Sequence, residues 1–254
     1  MVGRREVAVV DPGPDLPRHV RAVARALEGA EKVRILLTHG HADHAGAVDA
    51  LLEAVPGAEV WGAGHDAARP LVGGAEIPTD HGRLVTVPTP GHTRDHLCFH
   101  WPDRSALFAG DLVLGLGDTT WVGEYSGCVG DYLRSLDRVT ALPLARIHPT
   151  HGPDIEDPGA AWTRYRRHRE DRIRQVREAI AALSREDAAG AGDGSSRVGR
   201  GRSVPGSPGG VSIEALMARV YGSDVPPGLK GAAKASLEAL VEYALSHPEE
   251  EAET

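Results

Sequence analysis

The chain has 254 residues, 41% of them hydrophobic, and a formal net charge of −8. That is enough apolar material for one sizeable core, and the acidic balance argues against a surface built to bind nucleic acid throughout. Only two cysteines, Cys98 and Cys128, rule out a disulfide scaffold, and no apolar run reaches membrane-spanning length, so the expected setting is cytoplasmic with no membrane partner.

In chain order, "VAVVD" (Val7–Asp11) reads as a buried strand stopped by Pro12-Gly13-Pro14. Leu16, Val20, Val23 and Leu27 recur at helical spacing, with Asp15 as expected N-cap and Gly29 as terminator. "VRILLT" (Val33–Thr38) is a second strand, and Val48, Leu51, Leu52 and Val55 mark a second helix. Ala58–Gly62 and Leu84–Val87 read as strands, and Leu97–Trp101 with Ala106–Ala109 as a hairpin across "PDRS". A helix is expected over Asp131–Leu142, a short strand over Arg146–His148 and one long arginine-rich helix over Ala160–Ser184. Strands alternating with helices predict an α/β layered architecture.

The composition changes after residue 184. Residues 185–210 are rich in glycine, serine and proline and read as a flexible linker. Residues 211–247 recover helical patterning around a Pro226-Pro227-Gly228 break, and residues 248–254 form an acidic tail. The expected organisation is therefore a main domain over 1–184, a linker, a small helical module and a tail.

Histidine is the chemical signal, with 13 residues. "LTHGHADHAG" (Leu37–Gly46) follows a strand and precedes a helix, and it carries His39, His41, Asp43 and His44. A loop at a strand end can converge such side chains on one point. Neutral imidazole nitrogen and carboxylate oxygen suit zinc and similar ions. Downstream, "TPGHTRDH" presents His92, "LFAGD" presents Asp111 and "HPTHGPD" presents His151. Taken singly, His92 and Asp111 read as turn polarity and His151 as a loop histidine. Taken in order, all three complete one constellation.

That order, "HGHADH", "PGH", "GD" and "THG", resembles the metallo-β-lactamase superfamily over about residues 5–185. The resemblance implies a four-layer αββα sandwich with two metal ions at one edge; the ligand types point to zinc (two ions), with manganese or iron as alternatives. By that resemblance His39, His41 and His92 hold the first ion, Asp43, His44 and His151 hold the second, and Asp111 bridges both. Asp11 in "VVDPG" matches an early aspartate element of the family and would orient a ligand rather than bind metal. Asp43 would double as catalytic proton acceptor beside a metal-bridging hydroxide. The expected activity is hydrolysis.

The C-terminal half resembles one branch, the beta-lactamase-like protein 2 group, in "AGDLVLGLGDTTW", "HPTHGP" and "YRRHREDRIRQV". Members carry a winged-helix-like tail and include a single-strand-selective endoribonuclease. Between Ala160 and Arg185 lie eight arginines and three acids, which either grip phosphates or form a solvated face with pairs such as Arg167–Asp171 and Arg174–Glu178. Trp121 and Tyr125 in the loop after Asp111, with His168 and Arg169 on the arginine helix, are the expected substrate contacts. The module is poor in basic residues, which speaks against nucleic acid and for packing or a homodimer. Two substrate classes follow: single-stranded RNA, cleaved by an endoribonuclease or phosphodiesterase activity, comes first, and a small thioester, ester or lactone is the alternative. A non-catalytic metal- or RNA-binding regulator is the reading from another class.

By the same resemblance, "MVGRREVAVVDPG" reads as the middle of a strand pair. Earlier strands are expected to be missing, leaving an exposed sheet edge.

Overall fold

The computed structural model describes residues 1–190, 211–222 and 225–248. The chain divides into two compact units, Met1–Thr120 with Asp131–Tyr165, and Trp121–Gly130 with Arg166–Thr254.

The first unit holds two sheets. Strands β1 (Glu6–Val10), β2 (Lys32–Leu37) and β3 (Glu59–Gly62) pair in parallel in that order. Strands β4 (Glu76–Thr79), β5 (Gly82–Pro88), β6 (Leu97–Trp101), β7 (Ala106–Gly110) and β8 (Arg146–Pro149) form the second sheet, antiparallel except for the β7–β8 pair. Strand alternation separates the layers. Val7, Val9 and Val33 face helix α1 (Pro17–Ala26) through Val23 and Leu27, whereas Ala8 and Leu36 face Ile77, Leu84, Leu97 and Phe99 of the second sheet. Ile35 and Leu37 pack instead on helix α3 (Val48–Ala54) through Val48 and Leu51. A central parallel strand buried on both faces needs a near-continuous apolar run, which "KVRILL" supplies. The buried Arg34 is the exception. It reaches out of the run to donate to the Pro78 carbonyl at 2.7 Å and to meet Glu6 Oε2 at 3.4 Å.

The fourth layer is the Asp131–Thr140 part of helix α4 (Cys128–Thr140). Ser135 Oγ donates to Pro90 O at 2.7 Å, and Tyr132 Oη donates to Leu112 O at 3.0 Å. Helix, sheet, sheet, helix is thus the αββα arrangement.

Several local features differ from the sequence expectation. Strand β4 was not expected. It is four residues long and contains Pro78, which an edge strand tolerates because no neighbour needs its missing N–H. The histidine run does not stay a loop but closes into a short helix, α2 (Ala42–Ala45). Helix α1 is capped at Leu16 and starts on Pro17, so Asp15 is not its N-cap. Proline at the first helical position fits because that N–H would be unsatisfied anyway. At the start of the chain, Val2 bridges Ala8 through two 2.8 Å backbone hydrogen bonds, and Arg4 N and Arg5 N donate to the Asp80 carboxylate.

In the second unit, helix α5 (Pro158–Gly190) continues beyond Tyr165 and runs past the expected end at Ser184. Residues 185–190 of the expected linker are therefore helical. The remaining linker, 191–210, and the tail from 249 lie outside the described residues. Helix α6 (Ile213–Tyr221) is capped by Ser212, whose Oγ accepts from Ala215 N. Helix α7 (Lys230–Ser246) follows a 3-10 turn at the Pro–Pro–Gly break. Among the described residues, no helix is long and apolar enough to cross a membrane.

Candidate metal centre

Strand ends aim every candidate ligand. Strand β2 stops at Leu37 and delivers Thr38, His39 and His41 to the start of α2, which carries Asp43 and His44. Gly40 is required here, since a Cβ on it would sit 2.6 Å from Gly64 O. His92 follows Gly91, whose φ of +144° and contact with the Tyr132 backbone leave no room for a side chain. Asp111 follows β7, and His151 follows β8 with its carbonyl accepting from Gly115 N at 2.8 Å.

These seven side chains converge. His41 Nδ1 lies 3.0 Å from His39 Nε2 and 3.1 Å from His92 Nε2. Asp111 Oδ2 is 3.6 Å from His92 Nε2. On the other side, Asp43 Oδ2 is 3.1 Å from His151 Nε2 and 3.7 Å from His44 Nε2. Asp111 Oδ1 is 3.4 Å from His44 Nε2 and 3.6 Å from His151 Nε2. Ligands about 2.0–2.2 Å from a tetrahedral ion lie about 3.3–3.6 Å from one another, so both groups are near coordination size. His44 Nε2 and Asp111 Oδ1 are buried atoms with no hydrogen-bond partner. With the imidazole neutral, its buried lone pair faces a buried carboxylate oxygen, which is costly unless a cation, a proton or a metal ion, lies between them. The donor set therefore fits metal binding, with one oxygen of Asp111 turned to each group.

Hydrogen bonds behind the ligands fix which nitrogen is free. Asp11 Oδ1 accepts from Thr38 N at 2.8 Å, and its Oδ2 accepts from Thr38 Oγ1 at 2.7 Å, His44 Nδ1 at 2.8 Å and Thr150 Oγ1 at 3.2 Å. Since Thr38 donates its hydroxyl proton to Asp11, its oxygen accepts from His39 Nδ1 at 3.0 Å. Both His39 and His44 thus carry the proton on Nδ1 and turn Nε2 into the centre. Asp11 itself sits in the left-handed region, at φ 44°.

The electrostatics follow burial and company. Burial, then the neighbouring imidazoles, hold the His39 value far below the usual histidine range. Burial also opposes protonation of His44, but the Asp11 hydrogen bond and the nearby Asp11 and Asp111 carboxylates outweigh it and raise His44 to about 10. Burial would raise Asp111, yet its interaction with the nearby His44 imidazole, and then the surrounding histidines, pull it below its ordinary value.

Sequence reasoning overlooked His96, which sits in the same run as His92. It is fully buried, and its Nε2 accepts from the backbone N–H of Asp111 at 3.1 Å. Burial, then His92, lowers it to about 3, so it is neutral. The only available signal was a second histidine four residues on in "HTRDH".

Trp121, Tyr125, His168 and Arg169 belong to the second unit. There, Trp121 Nε1 donates to Ala232 O at 3.3 Å, the Tyr125 carbonyl accepts from Cys128 N, His168 is half-buried and Arg169 is buried. The helix arginines are extensively engaged. Arg166 meets Glu170 at 3.5 Å, Arg174 meets Asp171 at 2.7 Å, and Arg177 donates to the His247 carbonyl. Arg172 donates to Gln175 and stacks over Tyr221. The pairing uses Arg166–Glu170 and Asp171–Arg174 in place of the expected Arg167–Asp171 and Arg174–Glu178.

A family model described as the metallo-beta-lactamase superfamily matches residues 1–71 and 66–151. The chain belongs to the metallo-β-lactamase superfamily. Among its relatives, the Lactamase-like protein aptB of Emericella nidulans is 33% identical over 87% of this chain and 66% of that protein. The Lactamase-like protein adaB of Aspergillus niger is 36% identical over 71% of this chain and 56% of that protein. The Beta-lactamase-like protein 2 homolog of Caenorhabditis elegans is 28% identical over 68% of this chain and 61% of that protein. The chain thus spans only 56–66% of the length of these relatives. A metallo-beta-lactamase family protein from Thermus thermophilus shares the superfamily fold with a TM-score of 0.71 at 21% identity, covering 97% of this chain and 87% of that one. A Beta-lactamase domain protein from Burkholderia ambifaria does so with 0.70 at 19% identity, covering 96% and 80%.

Proposed function

We propose that the chain is a binuclear metallo-hydrolase, with zinc as its ion, acting on the ester-type bond of a small molecule such as a thioester, ester or lactone. One observation carries the binuclear reading. Asp111 turns one oxygen to the group of His39, His41 and His92 and the other to the group of Asp43, His44 and His151. When bound, two such ions acidify a water near neutral pH and polarise the bond under attack.

The chain's own residues do the rest. His39 and His44 hold a fixed tautomer through Thr38 and Asp11, so their Nε2 atoms need no reorganisation. Asp43 and His151 keep side-chain exposures of 52% and 46%, which makes their group the open side from which substrate approaches. Asp43 is the exposed carboxylate on that side, and we assign it the acceptance of the proton released as the nucleophile forms. Asp111 is buried and charged, and its role is to hold the two groups together.

The arginine helix supports the small-substrate choice over single-stranded RNA. Arg166, Arg172, Arg174 and Arg177 already serve partners within the chain. An acidic chain repels a long polyanion.

The test is a side-by-side panel of acyl thioesters, aryl esters, lactones and single-stranded RNA with zinc-loaded protein. Turnover of a small acyl substrate, lost after chelation, is expected. RNA cleavage without small-ester turnover would move the assignment to a phosphodiesterase. Two bound ions with no turnover on any substrate would favour a metal-binding regulator.

A further inference from the structure

The end of β7 is irregular, and the irregularity is what points Asp111 inward. Phe108 pairs with His148 and Gly110 with Pro149, so Ala109 is an extra residue in its strand. Gly110 then adopts φ +51°, where a Cβ would lie 2.7 Å from both His96 Nε2 and Thr38 Oγ1. A bulge of this kind must be held, because the next residue supplies the carboxylate shared by both groups of candidate ligands.

A buried hydrogen-bond chain closes around it. Asp111 N–H donates to His96 Nε2 at 3.1 Å, and His96 Nδ1 faces Thr89 Oγ1 at 2.9 Å. Thr89 Oγ1 donates to Cys98 Sγ at 3.2 Å, and Cys98 Sγ donates to Ala109 O at 3.4 Å. The two ends fix every proton between them. A backbone N–H can only donate and a carbonyl can only accept, so His96 carries its proton on Nδ1 and gives it to Thr89. The chain starts on Asp111, ends on Ala109 and spans the bulge.

We propose that His96 is a positioning residue that sets the aim of Asp111 by accepting its backbone N–H, with Thr89 and Cys98 locking the imidazole in the tautomer that can do so. His96 supplies no ligand atom to either group, although its ring packs beside those of His39 and His92, with centroids 5.3 and 6.2 Å apart. It acts through the main chain, and its loss blurs the one carboxylate on which both ions depend. The inference rests on the binuclear reading above.

The test is zinc titration of the full chain against a chromophoric chelator, with the cobalt(II) absorption spectrum as a second readout. His96→Phe keeps a planar ring, somewhat larger than imidazole, and removes the acceptor, and it is expected to weaken binding of the two metal ions by about 10–100-fold and to change the cobalt bands. His96→Gln places an amide oxygen where Nε2 was, and it is expected to stay close to the unaltered protein in both readouts. A purely space-filling His96 predicts otherwise, so equal affinity in His96→Phe, or equal loss in the Phe and Gln variants, overturns the proposal. Should His96→Phe fail to fold, Thr89→Val decides: an intermediate loss supports the lock and unchanged affinity contradicts it. If the unaltered protein binds fewer than two ions, the binuclear reading itself fails and takes this proposal with it. That failure shows without any variant.

Discussion

The two halves of the metal centre differ in how they meet solvent. In one, His39 and His92 are buried and His41 half-buried; in the other, His44 is buried but Asp43 and His151 are exposed. The difference teaches a division of labour. A walled group of three nitrogens is preorganised and loses little entropy on binding an ion, whereas exposed ligands must be ordered first. The buried half should load first and hold tighter, and the open half should respond to substrate, pH and mutation.

The largest effect should come from the residue both halves share. Asp111→Ala is expected to lose both ions and to lower activity on the order of 10³-fold, the scale of several kcal/mol of lost charge stabilisation. Metal analysis paired with a rate assay checks this, and retention of one tight ion would show that the halves are more independent than their shared carboxylate implies. His41→Ala should empty the buried half and lower activity, by no more than Asp111→Ala does, and turnover surviving without metal would sink the mechanism.

A smaller effect is expected one layer out. Asp11 orders His44 directly and His39 through Thr38, so Asp11→Asn should weaken both binding steps by about 10–100-fold in a zinc titration. If only the weaker step moves, the Thr38 relay carries no weight.

The smallest effect is protonic and belongs to the open half. His44 without metal is raised to about 10 from 6.5, so at pH 7 it holds a proton that an ion must displace. Calorimetry in buffers of different ionisation enthalpy should show release of about one proton per ion pair from this site. The same shift stabilises the metal-free fold. With the folded-state value above the unfolded one, that stability is complete below pH 6.5 and is lost as pH rises through about 10. Thermal unfolding of metal-free protein across this range checks the sign, and metal loading should flatten the curve.

The two halves were equally legible in the sequence, because each ligand sits in a short polar run beside an apolar strand. His39, His41, Asp43 and His44 announce themselves by density, and the order of His92, Asp111 and His151 does the rest. The layers were legible too, since Val7 and Val9 alternate with Ala8, and "KVRILL" is apolar enough for a strand covered on both sides. What was hidden depends on pairs far apart in the chain. Thr38, Thr89 and Thr150 look like ordinary strand-end threonines, yet each accepts or donates at the centre or just behind it. His96 gave no signal of its own, because a buried histidine bonded to a backbone amide leaves no spacing signature. Strand β4 was hidden by Pro78, and the arginine pairing could be narrowed only once the faces of α5 were known.

The most direct test of the binuclear account is metal stoichiometry of the unaltered chain beside His151→Ala. Two ions in the unaltered protein, one much tighter than the other, with His151→Ala keeping only the tight one, is the predicted result. A single ion or none in the unaltered protein, or loss of both ions in His151→Ala, would contradict it.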